Sequence, residues 1–220
     1  MNYDFNFNFI WANFDRVLWG LVKSISLAAM AIPVAMALGL LLALVYTDAN
    51  RSLRSAVIGF VEIVRNAPLL LWVYLVYYGL PQTVGLRLDA EFAFVLTLSL
   101  YGTAYLVEIF RAGLDAVPRG QIDAGLAVGL RRAQLLWYVR LPTMFRIVLP
   151  SLSNACISIF KDTSIAMVLG IPELTFTAQW INTSTFRVVE AWMVVLPLYL
   201  VTTYSIILLL RWFEGRFRAA

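Results

Sequence analysis

The sequence contains no histidine and a single cysteine, Cys156, among its 220 residues. Zinc and copper sites are built largely from these residue types, and one cysteine cannot form an intrachain disulfide, so we expect no metal site. Charged residues make up only 14% of the chain, whereas 61% are hydrophobic and the mean hydropathy is +0.80. This composition lies outside the range of soluble domains and predicts an integral membrane protein.

The N-terminal stretch, MNYDFNFNFIWANFDR, lacks the basic start and small-residue cleavage site of a signal peptide. We interpret it as mature sequence at a membrane interface, where Phe, Tyr and Trp are common. No linker, low-complexity tract or clear repeat divides the chain. The sequence therefore predicts one transmembrane domain over residues 1–220.

A membrane-spanning helix needs about 20 mainly apolar residues. Five segments meet this requirement, which predicts an all-α integral membrane fold with five transmembrane helices. They are residues 17–46, 57–80, 92–110, 147–170 and 192–212.

The arginines in the predicted loops are divided unequally between the two sides of the membrane. Eleven fall on one side, and only Arg16, Arg87 and Arg187 fall on the other. Cytoplasmic loops carry the excess of Lys and Arg, so we expect the N-terminus outside and the C-terminus in the cytoplasm. The same asymmetry explains the net charge of +4 without a nucleic-acid partner.

Six charged residues remain inside the predicted spans. Ionisable groups in a bilayer are costly, so they commonly pair or face a polar interior, and they are functional candidates. The three bases and three acids balance; they are Lys23, Arg65, Lys161, Glu62, Glu108 and Asp162.

The second predicted span contains a charged pair just before a proline. Glu62 and Arg65 are three residues apart and project from one helical face. Pro68 removes a backbone donor and breaks the helix, an arrangement tolerated in membranes where it lines a cavity. Two interpretations stay open: an ion pair that reaches toward the cytoplasmic face, or contact with a substrate.

The fourth predicted span carries a polar stripe, because Ser151, Asn154, Ser158 and Asp162 recur at helical spacing. Such a stripe either joins helices through hydrogen bonds or lines a translocation path. The cluster from Lys161 to Ser164 favours the path. Lys161 points about 100° away from Asp162 on a helix and is not automatically its partner.

Residues 120–142 form a stretch that is too charged to span a bilayer and too regular for an ordinary loop. One apolar stripe predicts an amphipathic helix, which in the simplest case lies on lipid. Gly125 and Gly129 either leave a smooth patch for another backbone or, at Gly129, permit a bend between two short helices. The stripe consists of Ile122, Leu126, Leu130, Ala133, Trp137 and Leu141.

This stretch resembles the cytoplasmic loop motif of bacterial ABC importer permeases: Glu-Ala-Ala, three residues, Gly, nine residues, then Ile, any residue, Leu, Pro. The spacing is intact, although Asp replaces Glu, Gly replaces the second Ala and Val replaces Ile. The matching residues are Asp123, Ala124, Gly125, Gly129, Val139, Leu141 and Pro142.

Three further segments are similar to the polar amino-acid branch of these permeases: EIVRNAPLLLWVYLVYYGLP, YLVEIFRAGLDAVPRGQ and FKDTSIAMVLGIPELT. Asn66 and Ala67 stand where the branch usually has Gly-Thr or a similar pair. The resemblance implies a type I ABC importer permease architecture in a bacterial inner membrane, with a coupling region over residues 119–142.

The resemblance also implies the partners. They are two copies of an ABC ATPase subunit that bind ATP and Mg²⁺, a second identical or related permease subunit, and an extracytoplasmic amino-acid-binding protein. This chain has no G-x-x-x-x-G-K-[ST] phosphate loop, so we expect no cofactor and no catalytic residue in it.

The intramembrane charges and the family's cavity location together suggest a set of substrate contacts. Arg65 is the candidate for the carboxylate and either Glu62 or Asp162 for the amino group, with Asn66 and Thr163 as hydrogen-bonding neighbours. Tyr105 and Glu108 are candidates for the same cavity, although Glu108 can instead bridge to Arg111. The alternative function is an ATP-independent carrier or channel; a membrane-embedded enzyme is disfavoured because histidine is absent.

Overall fold

A computed structural model describes residues 4–48 and 50–219, and every regular element within them is helical. Residues 1–3 of the N-terminal aromatic stretch lie outside the described residues, as does the side chain of Arg218, one of the eleven arginines on the predicted cytoplasmic side. Two π-helical segments (Leu75–Gly79 and Leu136–Arg140) and a 3-10 segment (Thr163–Leu169) lie between the α-helices. The α-helices are α1 (Asn8–Ala12), α2 (Phe14–Asp48), α3 (Arg51–Arg65), α4 (Leu69–Tyr74), α5 (Leu80–Val84), α6 (Ala90–Asp115), α7 (Arg119–Ala127), α8 (Arg132–Leu135), α9 (Leu141–Asp162), α10 (Leu174–Thr185) and α11 (Val188–Ala219).

Four helical stretches in the described part of the chain are long and apolar enough to cross a membrane. A broken pair of helices supplies a fifth span if it is counted as one. The predicted all-helical membrane fold is therefore confirmed. The stretches are Phe14–Thr47, Ala90–Asp115, Arg132–Leu169 and Val188–Arg216, and the pair is Arg51–Arg65 with Leu69–Val84.

The second span is not the single helix that the sequence predicted over residues 57–80. Its first helix, α3, begins at Arg51 and ends at Arg65, before Pro68. The backbone N–H and the side-chain amide of Asn66 donate to the Glu62 carbonyl at 3.1 and 2.7 Å, which satisfies one of the carbonyls left free at the helix end. Pro68 adopts an extended conformation, φ −60° and ψ 140°, and starts α4. The proline thus produces a sharp bend at residues 66–68.

The described residues group into two compact units by their contacts. Unit 1 comprises the residues up to Ile32, with Pro68–Ser99 and Ile157–Ile207. Unit 2 comprises Pro33–Ala67, Leu100–Cys156 and the residues from Leu208.

Unit 1 has a core where α10 packs on α1, the start of α2 and the start of α11. Gly20 lets two backbones approach closely, because a Cβ there would lie 2.7 Å from Thr177 Oγ1 and 3.0 Å from the Glu173 carbonyl oxygen. Arg16 stacks on Trp180 with its guanidinium carbon 3.7 Å from the ring centre. The buried core residues are Ile10, Val17, Leu174, Ala178, Ile181, Ala191 and Val195.

Unit 2 is built around α3 and the second half of α6. Val57 and Val61 pack on Val107, and the last turns of the first span cover them. Two glycines permit close packing: a Cβ at Gly39 would lie 2.7 Å from Leu106 Cβ, and one at Gly113 would lie 2.2 Å from a Val148 methyl. This packing presents one face of α3 toward α6, where the charged residues gather.

Candidate functional site

A cavity of about 530 Å³ lies within unit 2. Its size falls in the range of small-molecule sites. Five of the seven predicted substrate contacts line it, together with Tyr46 and Arg111, which the sequence did not single out for this role. The predicted ones are Glu62, Arg65, Asn66, Tyr105 and Glu108.

Arg65 contributes a cation that is held over an aromatic ring. Its guanidinium carbon lies 5.0 Å from the Tyr105 ring centre, and the Tyr105 hydroxyl lies 3.1 Å from that of Tyr101. Glu62 and Arg65 make no ion pair with each other in the described structure, and both are exposed to the cavity. The interpretation of these two residues as a structural ion pair is therefore wrong.

Glu108, by contrast, is neutralised within its own helix. Arg111 donates to Glu108 at 2.8 Å and to Asp115 at 3.3 Å, and its guanidinium carbon lies 5.4 Å from the Tyr46 ring centre. The proposed bridge between Glu108 and Arg111 is confirmed. Since these charges compensate each other, Glu62 and Arg65 remain as an acid and a base facing the same cavity.

Asp162 and Thr163 belong to unit 1 and are not among the residues that line this cavity. Thr163 is fully buried, and its hydroxyl donates to the Phe160 carbonyl at 2.7 Å. Asp162 is half-buried and makes no ion pair with Lys161 in the described structure. Their predicted contact with substrate stays a prediction.

The expected balance of charge within the spans needs a correction, because Lys23 has a partner outside that set. Its ammonium donates to Glu91, in the first turn of α6, at 2.5 Å. The predicted stripe on α9 is polar and accessible: Ser151, Asn154 and Ser158 are exposed in this single chain. An exposed polar face on a membrane helix requires water or another chain beside it.

The predicted coupling region consists of one short helix, α7, and the first turns of the long helical stretch Arg132–Leu169. The α7 helix ends at Ala127, Gly129 adopts the left-handed conformation at φ +82°, and α8 begins at Arg132. The prediction of one continuous apolar stripe from Ile122 to Leu141 is therefore wrong, and the alternative prediction of a bend at Gly129 is confirmed. Leu141 is the first residue of α9, so Leu141 and Pro142 lie within the helical stretch Arg132–Leu169.

Gly125 packs within the coupling region itself, because a Cβ there would lie 2.6 Å from a Leu135 methyl. Gly125 therefore lets α7 pack closely on the residues after the turn. One expectation had been that it leaves a smooth patch for another chain. Asp123 and Ala124 are exposed. So are large apolar side chains at Leu126, Val128, Trp137 and Tyr138, with Val128 78% and Trp137 66% exposed.

Glu173, in unit 1, is a buried acid that the sequence did not single out. Its carboxylate accepts from the backbone N–H groups of Thr175 (2.9 Å) and Phe176 (2.6 Å) and from the hydroxyls of Ser24 and Tyr199, both at 3.1 Å. It caps the N-terminus of α10. Burial raises the pKa of Glu173 above its ordinary value, although the four hydrogen bonds oppose this shift.

The described residues include no group of three or more side chains suited to hold a metal ion. What they do contain is several helices long enough to span a membrane, a polar cavity with an unpaired acid and base, and an exposed apolar surface on α7 and the first turns after Gly129. Together these define the membrane subunit of a transporter.

The family model of the binding-protein-dependent transport system inner membrane component matches residues 31–219, and the chain belongs to that family. It is 32% identical over 215 residues to the glutamine transport system permease protein GlnP of Escherichia coli (strain K12), covering 97% of this chain and 98% of the relative. It is 30% identical over 190 residues to the arginine transport system permease protein ArtQ of Bacillus subtilis (strain 168), covering 86% of each.

A solved structure described as the crystal structure of an amino acid ABC transporter with histidines superposes with a TM-score of 0.89 at 30% identity. The match covers 97% of this chain and 100% of that chain. The predicted ABC importer permease of the inner membrane is thus confirmed, and the ATP-independent carrier or channel finds no support.

Proposed function

We propose that the unit 2 cavity binds a polar amino acid during import. The observation that carries this proposal is the presence of one acid and one base, Glu62 and Arg65, that face one cavity without pairing. An amino acid carries the complementary charges. The relatives named for glutamine and arginine transport support this substrate class.

In this proposal Arg65 binds the α-carboxylate through two parallel N–H groups, and Tyr105 holds the guanidinium plane from its face. Glu62 accepts from the α-ammonium group. The Asn66 amide can contact the substrate through the N–H that is not used on the Glu62 carbonyl. Glu108 shapes the cavity mainly through its bridge to Arg111.

The exposed apolar residues of the coupling region form the proposed contact with a separate ATPase subunit. Two such subunits bind ATP and Mg²⁺, and their closure moves two permease chains between inward-facing and outward-facing states. The predicted orientation, with the N-terminus outside, puts the coupling region in the cytoplasm. A binding protein delivers the amino acid on the opposite side.

The cavity is tested by amino-acid-stimulated ATP hydrolysis of the assembled complex in liposomes, with L-glutamine, L-arginine and L-glutamate as probes. Arg65→Gln removes a charged hydrogen bond and should raise the half-saturating concentration roughly 10- to 100-fold. Arg87→Gln, at an exposed loop position, is the matched control and should leave it unchanged. Equal curves for both variants would place the site elsewhere.

The coupling contact is tested by copurification of the ATPase in mild detergent. Trp137→Ala should weaken the association roughly tenfold or more, because exposed aromatics dominate such interfaces. Trp19→Ala is the matched control, since Trp19 is also exposed (72%) but lies in unit 1. If both variants retain the ATPase equally, the exposed apolar surface of the coupling region is not the docking site.

A further inference from the structure

A second cavity lies in unit 2 next to the first. It has a volume of about 500 Å³ and is lined by Arg51, Arg54, Ser55 and Ile58. Ile58 also lines the first cavity. The two spaces therefore adjoin along α3.

One face of α3 serves both cavities. Arg51, Arg54, Ile58, Glu62 and Arg65 follow one another at spacings of three and four residues, which places them in a row along the helix. At about 1.5 Å of rise per residue the row extends for about 21 Å. Charged residues stand at both ends of it, and Ile58 is the apolar residue in the middle.

A contact between Tyr46 and Arg54 crosses the boundary between the cavities. Tyr46 lines the first cavity and Arg54 the second. The Arg54 guanidinium donates to the Tyr46 hydroxyl at 2.9 Å, and its central carbon lies 4.4 Å from the ring centre. Arg111 approaches the same ring from the first cavity. Two cations thus hold Tyr46 in place.

The two cavities differ in the charges that they present. The first has both signs, so it complements both ends of an amino acid. The side chains that line the second are two guanidinium groups, one hydroxyl and one apolar group, which suit a carboxylate and include no acid to pair with an ammonium group. An amino acid held at one end only is bound more weakly, and weaker binding favours release.

We propose that the second cavity is an exit site that receives the α-carboxylate of the transported amino acid, and that the Tyr46–Arg54 contact closes it off from the first cavity. This inference rests on the proposed function, because it takes the first cavity as the substrate site and the coupling side as cytoplasmic. Arg54 opens the partition by exchanging the Tyr46 hydroxyl for the carboxylate. Arg51 supplies the second guanidinium.

The partition is tested by ATP-independent efflux of radiolabelled L-glutamine from liposomes that contain the assembled complex. Tyr46→Phe keeps the ring and every charge but removes the hydrogen bond to Arg54. We expect efflux to rise about tenfold, the factor typical of one lost hydrogen bond to a charged group. Arg54→Gln breaks the same bond from the other side but also removes a guanidinium group of the exit site, so its efflux should rise less than that of Tyr46→Phe.

Tyr204→Phe is the control, since Tyr204 is an exposed tyrosine of unit 1 (60%). Efflux at the unmodified rate in both Tyr46→Phe and Arg54→Gln overturns the proposed partition. Arg51→Gln should lower the maximal uptake rate severalfold without changing the half-saturating concentration. An unchanged maximal rate would overturn the exit site.

These outcomes are separable from a failure of the proposed function. If Arg65→Gln binds L-glutamine normally, the first cavity is not the substrate site, whatever efflux the Tyr46 and Arg54 variants show. If Arg65→Gln loses binding while the Tyr46 and Arg54 variants do not leak, the substrate site stands and the exit site falls.

Discussion

Two carboxylates, one in each unit, occupy opposite environments. Glu173 in unit 1 is 0% exposed and accepts four hydrogen bonds, whereas Glu62 in unit 2 faces a cavity and makes no ion pair with the arginine one turn away. A buried acid is tolerated only if its oxygens are satisfied, and Glu173 meets that condition. An acid that faces a cavity with its capacity unused is available to a ligand. The contrast therefore separates a structural charge from one that we propose to be functional.

The Glu173 cluster joins three helices within unit 1. Its donors come from α2 through Ser24, from α10 through Thr175 and Phe176, and from α11 through Tyr199. The Ser24 hydroxyl also accepts from the Leu174 N–H at 3.2 Å. Such a network fixes the position of α10, because each helix supplies a group that the others need.

The largest effect is expected when this cluster loses its centre. Glu173→Ala leaves four donors without their acceptor in a buried place and should cost about 3–5 kcal/mol of stability. Glu62→Ala should change the stability by no more than about 0.5 kcal/mol. Thermal unfolding of both variants in detergent measures the difference. Similar losses of stability in the two variants would show that Glu62 and Glu173 do not differ in their structural role.

The reverse test concerns binding. Glu62→Gln removes the charge that we propose to face the α-ammonium group and should raise the half-saturating concentration for ATPase stimulation about tenfold or more. Its unfolding temperature should stay that of the unmodified protein. A stability loss as large as that of Glu173→Ala, with unchanged stimulation, would assign Glu62 to the structural class.

Much of the fold and part of the candidate site can be predicted from the sequence, and the limits of such prediction have a physical cause. Hydropathy predicts the helical membrane fold, and helical spacing places Glu62, Arg65 and Asn66 near one another beside a proline break. The loop motif predicts the family. These inferences hold because period and spacing within one segment determine which residues share a helical face.

Contacts between distant segments are not encoded in such spacing. Lys23 and Glu91 are 68 residues apart, and no local pattern pairs them. The position of Tyr46 beside Arg111 depends on how α2 packs on α6 in unit 2. Glu173 follows a proline in an apolar segment, so its position marks a helix start without revealing that Ser24 and Tyr199 surround it. The sequence left two interpretations of Gly129 open, a smooth patch for another backbone or a bend, because glycine suits both.

The pH dependence of stability should also distinguish the two acids. Because burial raises the pKa of Glu173, the folded protein keeps this proton at pH values where the unfolded chain has lost it. Its contribution to stability is then complete below the ordinary pKa of glutamate and falls as pH rises through the interval up to the raised pKa. Unfolding temperatures of the unmodified protein and Glu173→Gln across this interval give the slope that belongs to Glu173. A stability difference that grows in favour of the unmodified protein with rising pH would contradict this assignment.

The smallest effect tests a single donor of the cluster. The Tyr199 hydroxyl lies 2.8 Å from the Thr175 hydroxyl and 3.1 Å from the Glu173 carboxylate, so Tyr199→Phe removes one group that serves two partners. The ring and its packing on Phe160 remain, and the expected loss is therefore about 1–2 kcal/mol, less than for Glu173→Ala. Tyr204→Phe, at an exposed tyrosine further along α11, should be neutral. If the Tyr199 and Tyr204 variants unfold at the same temperature, the hydroxyl contributes nothing and the backbone N–H groups alone hold the Glu173 carboxylate.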